Sequence, residues 1–358
     1  MPAASDDFSA VFSTAAALLG RGDLARPPRR TFGCSAETLW LMGGDGLDRV
    51  DALGALDARG GRNGGSRLFP DGGYAVMASD GPGDGHQLIF DVGPIGCPVT
   101  AGHGHADLLS IQATVFGQPC LVDPGTFCYT MDSRWRDYFR SAAAHSTLIV
   151  DGQSPARPAG PFSWQERPAA RLRQWQSGDG LDYADAEHDG YCRLADPVVH
   201  RRRVLFVKPR FWIIVDDLAG SKDHTFDLRY QFAPGYSIDM EHAPWISAHR
   251  PSGQGLLTIV HATTPIRPRA IKGCMEPIGG WVSPEFGVRL PAPGIGYRAG
   301  GRLPIRIATL MFPVESIGTP LPRVSPLMGE GPSLRGFALD GGREFLIIDD
   351  QEIRLERR

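Results

Sequence analysis

From Arg67 onward the sequence is a succession of short apolar runs cut apart by turn residues, and that pattern leaves room for little except antiparallel β structure. The runs are 74–78, 87–92, 110–116, 147–150, 204–207, 211–215, 225–232, 256–261, 306–312 and 345–348. Each is rich in Val, Ile, Leu or Phe, and each is bounded by Gly, Pro or Asp. The 45 glycines and 30 prolines would suggest disorder in a polar chain, but 42% of these residues are apolar, so turns between buried strands are the better reading. Val204–Val207 and Phe211–Val215, joined through Lys208-Pro209-Arg210, form the strongest hairpin signal. The expected fold class is mainly β, a large antiparallel β-sandwich, and at 358 residues the chain can bury a sizeable core.

Before Arg67 the periodicity is helical. Residues 8–19 have apolar positions at helical spacing and stop at Gly20. A second short helix fits Ala36–Met42, ended by Gly43-Gly44, and a third piece fits Leu47–Leu56. The Gly-rich stretch 59–66 reads as a linker, dividing residual helices in 1–60 from a sandwich in 61–358. With 37 basic and 40 acidic residues the net charge is −3, without a one-signed tail, so no nucleic-acid partner is expected. The local run His200-Arg201-Arg202-Arg203 reads as a strand edge or an anion contact. No signal peptide is visible at the start, and no apolar run reaches membrane-spanning length. The six cysteines (34, 97, 120, 128, 192 and 274) contain no CxxC pair and read as buried thiols.

The chemistry gathers in Gly102-His103-Gly104-His105-Ala106-Asp107-Leu108-Leu109-Ser110 and in the residues from Ile111 to Gly152. If the first stretch is an extended strand, His103 and His105 present their rings to one face. His105, Asp123 and His145 supply two nitrogens and an oxygen, the materials of a transition-metal site, and His103 is a neighbour for ligation or proton work. On spacing alone, a metal site and a buried polar network both remain open. A cupin-like barrel also uses HxH, but it wants a glutamate a few residues later, and residues 106–111 contain none. Arg136 and Arg140 have the fork geometry to bind a substrate carboxylate, against the plainer reading of solvated or salt-bridged arginines. Tyr129 and Tyr138 read as packing residues unless an environment lowers their pKa. No GxSxG, Walker or dinucleotide fingerprint occurs.

Taken together, residues 102–110, Val122-Asp123-Pro124-Gly125-Thr126, Trp135-Arg136-Asp137-Tyr138-Phe139-Arg140-Ser141, Ala144-His145-Ser146-Thr147 and Val150-Asp151-Gly152 resemble the heparinase II/III-like family of polysaccharide lyases. Asp71-Gly72-Gly73-Tyr74, Asp91-Val92-Gly93-Pro94 and His200-Arg201-Arg202 fit as well, so the resemblance runs over residues 65–290. It implies an α-helical toroid followed by a β-sandwich. It implies that His105, Asp123 and His145 hold a structural zinc ion, and that His103 is the sandwich's contribution to the active cleft. The reaction it implies is β-elimination on a uronic-acid polysaccharide. Ser146 stands where the family often has Asn.

In that family the catalytic tyrosine and an asparagine or histidine lie on the toroid, and residues 1–60 resemble only its last helices. His103 alone is therefore half a site, and neither Tyr129 nor Tyr138 matches the catalytic tyrosine. The expectation is a partial lyase whose partners are an acidic polysaccharide and a separate helical toroid. The alternatives are a zinc-stabilised sandwich that binds acidic polysaccharide or a protein without turnover, and, less favoured, a cupin-like metal enzyme. The resemblance implies a periplasmic or extracellular location, although this start shows no export signal.

Overall fold

The computed structural model describes residues 9–25, 36–57, 65–79, 85–97, 99–330 and 333–357. The chain divides into two compact units, Met1–Gly65 with Gly81–Gly83, and Ser66–Asp80 with Asp84–Arg358. In the first, α1 (Ser9–Leu19) and α2 (Ala36–Asp57) pack together, with the Thr14 and Thr38 hydroxyls 2.9 Å apart. Gly43 breaks α2 with φ +69° and ψ −168°, where the sequence placed a helix end. No helix among the described residues is long and apolar enough to cross a membrane.

The second unit is mainly β structure, antiparallel in every pairing among its described residues. Strands β1 (Arg67–Phe69), β2 (Tyr74–Ala78), β3 (Gln87–Asp91), β4 (Ile111–Val115) and β5 (Gln118–Leu121) form one sheet in sequence order. The largest sheet runs, edge to edge, through Ser237–Asp239, Trp245–His249, Gly255–Ala262, Ile305–Val314, Phe211–Ala219, Val198–Val207, Leu181–Tyr191 and Arg171–Ser177. A four-stranded sheet contains β6 (Leu148–Val150) beside Asp223–Gln231, Pro293–Arg302 and Ile266–Lys272. A C-terminal meander, Val324–Met328 through Ile353–Arg357, forms another.

The expected hairpin is present, with Val204 opposite Ile214 and Phe206 opposite Trp212. It lies at the middle of the largest sheet and is covered on both faces. Val204, Phe206, Trp212 and Ile214 enter the main core with residues of β2–β6. Leu205, Val207, Phe211, Ile213 and Val215 enter a second core against Leu334, Phe337, Leu346 and Ile353 of the meander. Alternation along each strand thus feeds two cores, which is why these runs are continuously apolar. The sandwich carries a third β layer.

Two expectations change here. His200, Arg202 and Arg203 sit in mid-sheet and are fully buried, so this run is neither an edge nor an exposed anion site. Arg201 pairs with Asp185, Arg202 with Asp216 and Arg203 with Asp217. Among the described cysteines, Cys120 and Cys128 are buried but Cys97, Cys192 and Cys274 are exposed, and all five are free thiols. Cys34 lies outside the described residues.

Candidate metal centre

The HxH segment is a loop, residues 101–110 between β3 and β4, and not the strand that would turn both rings one way. Gly104 is demanded by close approach: a Cβ there would lie 2.8 Å from Ile95 Cγ2 and 3.0 Å from the Gly96 nitrogen. His103 is exposed, while His105 turns inward. Its Nδ1 lies 3.3 Å from Nε2 of His145, which follows the short helical turn Ala142–Ala144.

Asp123 arrives just after β5. Its Oδ1 accepts the Gly125 N–H at 2.8 Å, leaving Oδ2 3.3 Å from His145 Nε2. Gly125 has φ +78°, and a Cβ on it would stand 2.2 Å from the Ser283 carbonyl oxygen. The Asp-Pro-Gly sequence is therefore a local device for aiming one carboxylate oxygen. Asp107 completes the group, its Oδ2 4.0 Å from His145 Nε2. One donor atom from each of His105, Asp107, Asp123 and His145 lies within 4.8 Å of every other. Asp107 was missed at the sequence level, although the alternation His103-x-His105-x-Asp107 carried the signal.

The electrostatics describe a tightly coupled group of two imidazoles and two carboxylates. His145 Nδ1 donates to the Ser141 carbonyl at 2.7 Å, which leaves Nε2 to face the carboxylates and His105. Burial pushes His145 down, but the hydrogen bond and charge of Asp123 outweigh it and raise the imidazole to about 9. Burial, then the neighbouring His145, lowers His105 to about 3. Burial raises Asp107 to about 6. For Asp123 burial acts upward, but the His145 hydrogen bond and charge win, bringing it to about 2. His105 Nε2 is buried without a hydrogen-bond partner among the described residues. A divalent cation among these donors would take His105 through Nδ1, the nitrogen that faces His145, and the two carboxylates would balance its charge. Zinc bonds of about 2.0–2.2 Å place tetrahedral donors about 3.3–3.5 Å apart; the His105–His145 and Asp123–His145 separations of 3.3 Å match this, and the 4.0 Å separation of Asp107 from His145 would have to shorten.

Next to these donors lies a polar cleft of about 180 Å³, lined by Tyr74, Asp91, Asp107, Ser110, Gln112 and Asp123. Burial and the Asp107 charge hold the Asp91 carboxyl well above the usual range. His103 faces a different environment: its ring meets Tyr129 edge-on at 5.4 Å and Phe162 at 6.0 Å. Tyr129 also contacts Phe286 at 5.5 Å, and Phe162 and Phe286 are 43% and 65% exposed.

Arg136 and Arg140 do not present forks to solvent. Helix α3 (Ser133–Phe139), capped by the Asp132 carboxylate on the Arg134 and Trp135 N–H groups, carries Arg136 inward, and Arg140 follows as its C-cap, both at 1% exposure. Arg136 donates to the carbonyls of Pro161 and Gly102, and Arg140 to Gly160 and to Asp137. The Arg136 guanidinium ties the loop that carries His103 to residue 161, and the Arg140 guanidinium fastens residues 160–163, uses that spacing alone did not reveal. Tyr138 is buried, its hydroxyl accepting the Trp281 N–H at 3.3 Å.

Comparison with known proteins agrees with this fold. The chain is 22% identical over 173 residues to a heparin-sulfate lyase of Bacteroides stercoris, a match taking in 48% of this chain and 23% of that protein. A heparin-sulfate lyase of Bacteroides thetaiotaomicron is 25% identical over 141 residues, 38% of this chain and 18% of that protein. The crystal structure of the heparan sulfate lyase HepC from Pedobacter heparinus superposes with a TM-score of 0.70 at 16% identity, covering 97% of this chain and 48% of the enzyme. The chain thus spans about half the length of the solved lyase it matches, and less of the curated relatives. Residues 61–303, well over half of the sequence, match the heparinase II/III-like, C-terminal family, and the chain belongs to that family.

Proposed function

We propose that this chain is the sandwich portion of a lyase that cleaves uronic-acid-containing polysaccharide by β-elimination, with a structural zinc ion held by His105, Asp107, Asp123 and His145. The observation that carries the reading is the opposite fate of neighbouring histidines: His105 is turned into a closed donor group, while His103, two residues away, is exposed among aromatic rings. Four protein donors leave no open position, which suits a structural ion. The exposed faces of Phe162 and Phe286 suit the apolar face of a sugar ring.

In the reaction the C5 proton leaves to a base, the C4–oxygen bond breaks, and an acid protonates the departing glycosidic oxygen, giving a C4=C5 unsaturated uronate. His103 is the group this chain offers to that cleft, for proton transfer or for countering the uronate carboxylate. The remaining groups come from a helical toroid. The setting that fits such a substrate is the periplasm or the cell exterior.

The test combines metal analysis with elimination. Purified protein should contain one zinc per chain. It should bind heparan sulfate or alginate, and in the presence of toroid helices it should generate the ultraviolet absorbance of the unsaturated product. His103→Ala should keep zinc and abolish that absorbance. Polysaccharide binding without product, with toroid helices present, would instead support a non-catalytic binding module. Zinc-free protein that neither binds nor cleaves would refute both.

A further inference from the structure

Beneath the metal-ligand loops lies a charged network with no access to solvent. Asp216 on Phe211–Ala219 accepts Arg202 Nε at 2.7 Å and His200 Nε2 at 2.6 Å on Oδ1, and Arg202 Nη2 at 3.1 Å on Oδ2. His200 Nδ1 faces His188 Nε2 at 3.2 Å, and His188 Nδ1 accepts the Gly190 N–H at 3.1 Å. That last bond sets the direction of the whole relay. His188 Nε2–H donates to His200, and His200 Nε2–H donates to Asp216, so both imidazoles are neutral and the single negative charge faces the guanidinium. Arg202, Asp216 and His200 are each 0% exposed.

A buried ion pair is seldom worth more than an apolar pair of the same shape, so stability alone does not account for this one. What the guanidinium does beyond Asp216 is specific. Its Nη1 donates to the carbonyls of Leu109 at 2.7 Å and Ser146 at 2.9 Å. Leu109 lies two residues beyond Asp107 and holds φ +59°, and Ser146 directly follows His145. The same two segments are cross-linked by the Thr147 hydroxyl on the Leu108 carbonyl at 2.9 Å. One planar, always-charged group thus spans the two loops that deliver His105, Asp107 and His145.

We infer that Arg202, oriented by Asp216 and His200, is a positioning residue that sets the spacing of the metal-ligand loops; the inference rests on the proposed zinc site. Lysine at this position can reach Asp216 or the carbonyls, but it cannot hold the three in a plane.

The experiment compares wild type, Arg202→Lys and a destabilising control, Ile214→Ala, whose side chain sits in the same core and makes no hydrogen bond to the loops. Three quantities are read: zinc affinity by competition with a chromophoric chelator, the visible spectrum of the cobalt-substituted protein, and the urea midpoint. Arg202→Lys should weaken zinc binding about tenfold to a hundredfold, the range for residues that orient metal ligands, and should change the cobalt bands. Ile214→Ala should lower the urea midpoint and leave both metal readings as in wild type. Wild-type affinity and spectrum in Arg202→Lys would overturn the inference, as would equal weakening in Ile214→Ala. Should Arg202→Lys fail to fold, Asp216→Asn, which keeps the shape but removes the charge, is read by the same criteria. If the wild type itself takes up no metal, the zinc reading falls and this inference with it, an outcome distinct from a wild type that binds tightly beside an unaffected variant.

Discussion

Replacing Gly125 by alanine tests whether the Asp123 carboxylate is aimed by the backbone. Alanine at φ +78° costs about 1–2 kcal/mol from the left-handed conformation alone. Its Cβ would also stand 2.2 Å from the Ser283 carbonyl oxygen, and backbone cannot rotate away as a side chain can. Relief requires the two segments to separate, which strains the 2.7 Å bond from the Ser283 N–H to the Pro124 carbonyl, worth about 0.5–1.5 kcal/mol. The expected loss is about 1.5–3.5 kcal/mol. The comparison is Gly287→Ala, at φ +80° with nothing within 4 Å of its added Cβ, which should lose only the conformational part, about 1–2 kcal/mol. Equilibrium urea unfolding followed by tryptophan fluorescence reads both. Metal titration should show Gly125→Ala, and not Gly287→Ala, binding zinc more weakly. Equal losses in the two variants would refute the role assigned to close approach.

Further outcomes are expected. His105→Ala should abolish stoichiometric zinc and leave a urea midpoint that no longer responds to a chelator, whereas chelation should lower the wild-type midpoint; an unchanged metal content in the variant would rule out His105 as a ligand. In chelator-treated protein, His145, raised to about 9, stabilises the fold fully below its ordinary value of 6.5 and loses that contribution as pH rises through 9. Denaturation between pH 6 and 10 should therefore show a decline that Asp123→Asn flattens. Asp123, lowered to about 2, contributes above its ordinary 3.8 and loses this as pH falls toward 2. Phe337→Ala, which empties the second core, should cost about 3–5 kcal/mol by calorimetry, and a loss under 1 kcal/mol would mean that the meander does not pack as described.

The strands that were legible in the sequence are those whose runs are apolar on both sides, Val204–Val207 and Phe211–Val215 above all. Strands that were not legible have polar or glycine-rich letters. Leu181–Tyr191 is dotted with acidic residues and carries His188, and Pro293–Arg302 is interrupted repeatedly by glycine; both are strands because their neighbours supply the pairing and the burial. The site behaved likewise. His105, Asp123 and His145 could be chosen by residue type and motif, and the structure brings them together. Asp107 passed unnoticed because a carboxylate beside a histidine pair has many uses. Arg136 and Arg140 could not be placed by type at all, since an arginine that fastens loops is spelled like one that binds substrate. Their burial is decided by α3, a short helix whose inward face depends on tertiary contacts.

The central hairpin also raises the question of how the sheet finds its alignment. In a sheet with one wet face, sliding a strand by one residue drives apolar groups into water, and that cost enforces correct pairing. Here both faces are oily, so a slipped Val204–Val207 against Phe211–Val215 would exchange one core's residues for the other's at much smaller cost. The charges at the far end of the same two strands supply the missing discrimination. Arg202 stands directly opposite Asp216, and Arg201 opposite Asp217, in the native pairing. A slip that carries Arg202 to Val215 leaves one Arg–Asp rung in place of two and sets that guanidinium against an aliphatic side chain. The ionic rungs act as a stop against sliding in that direction, which a hydrophobic ladder alone would not supply.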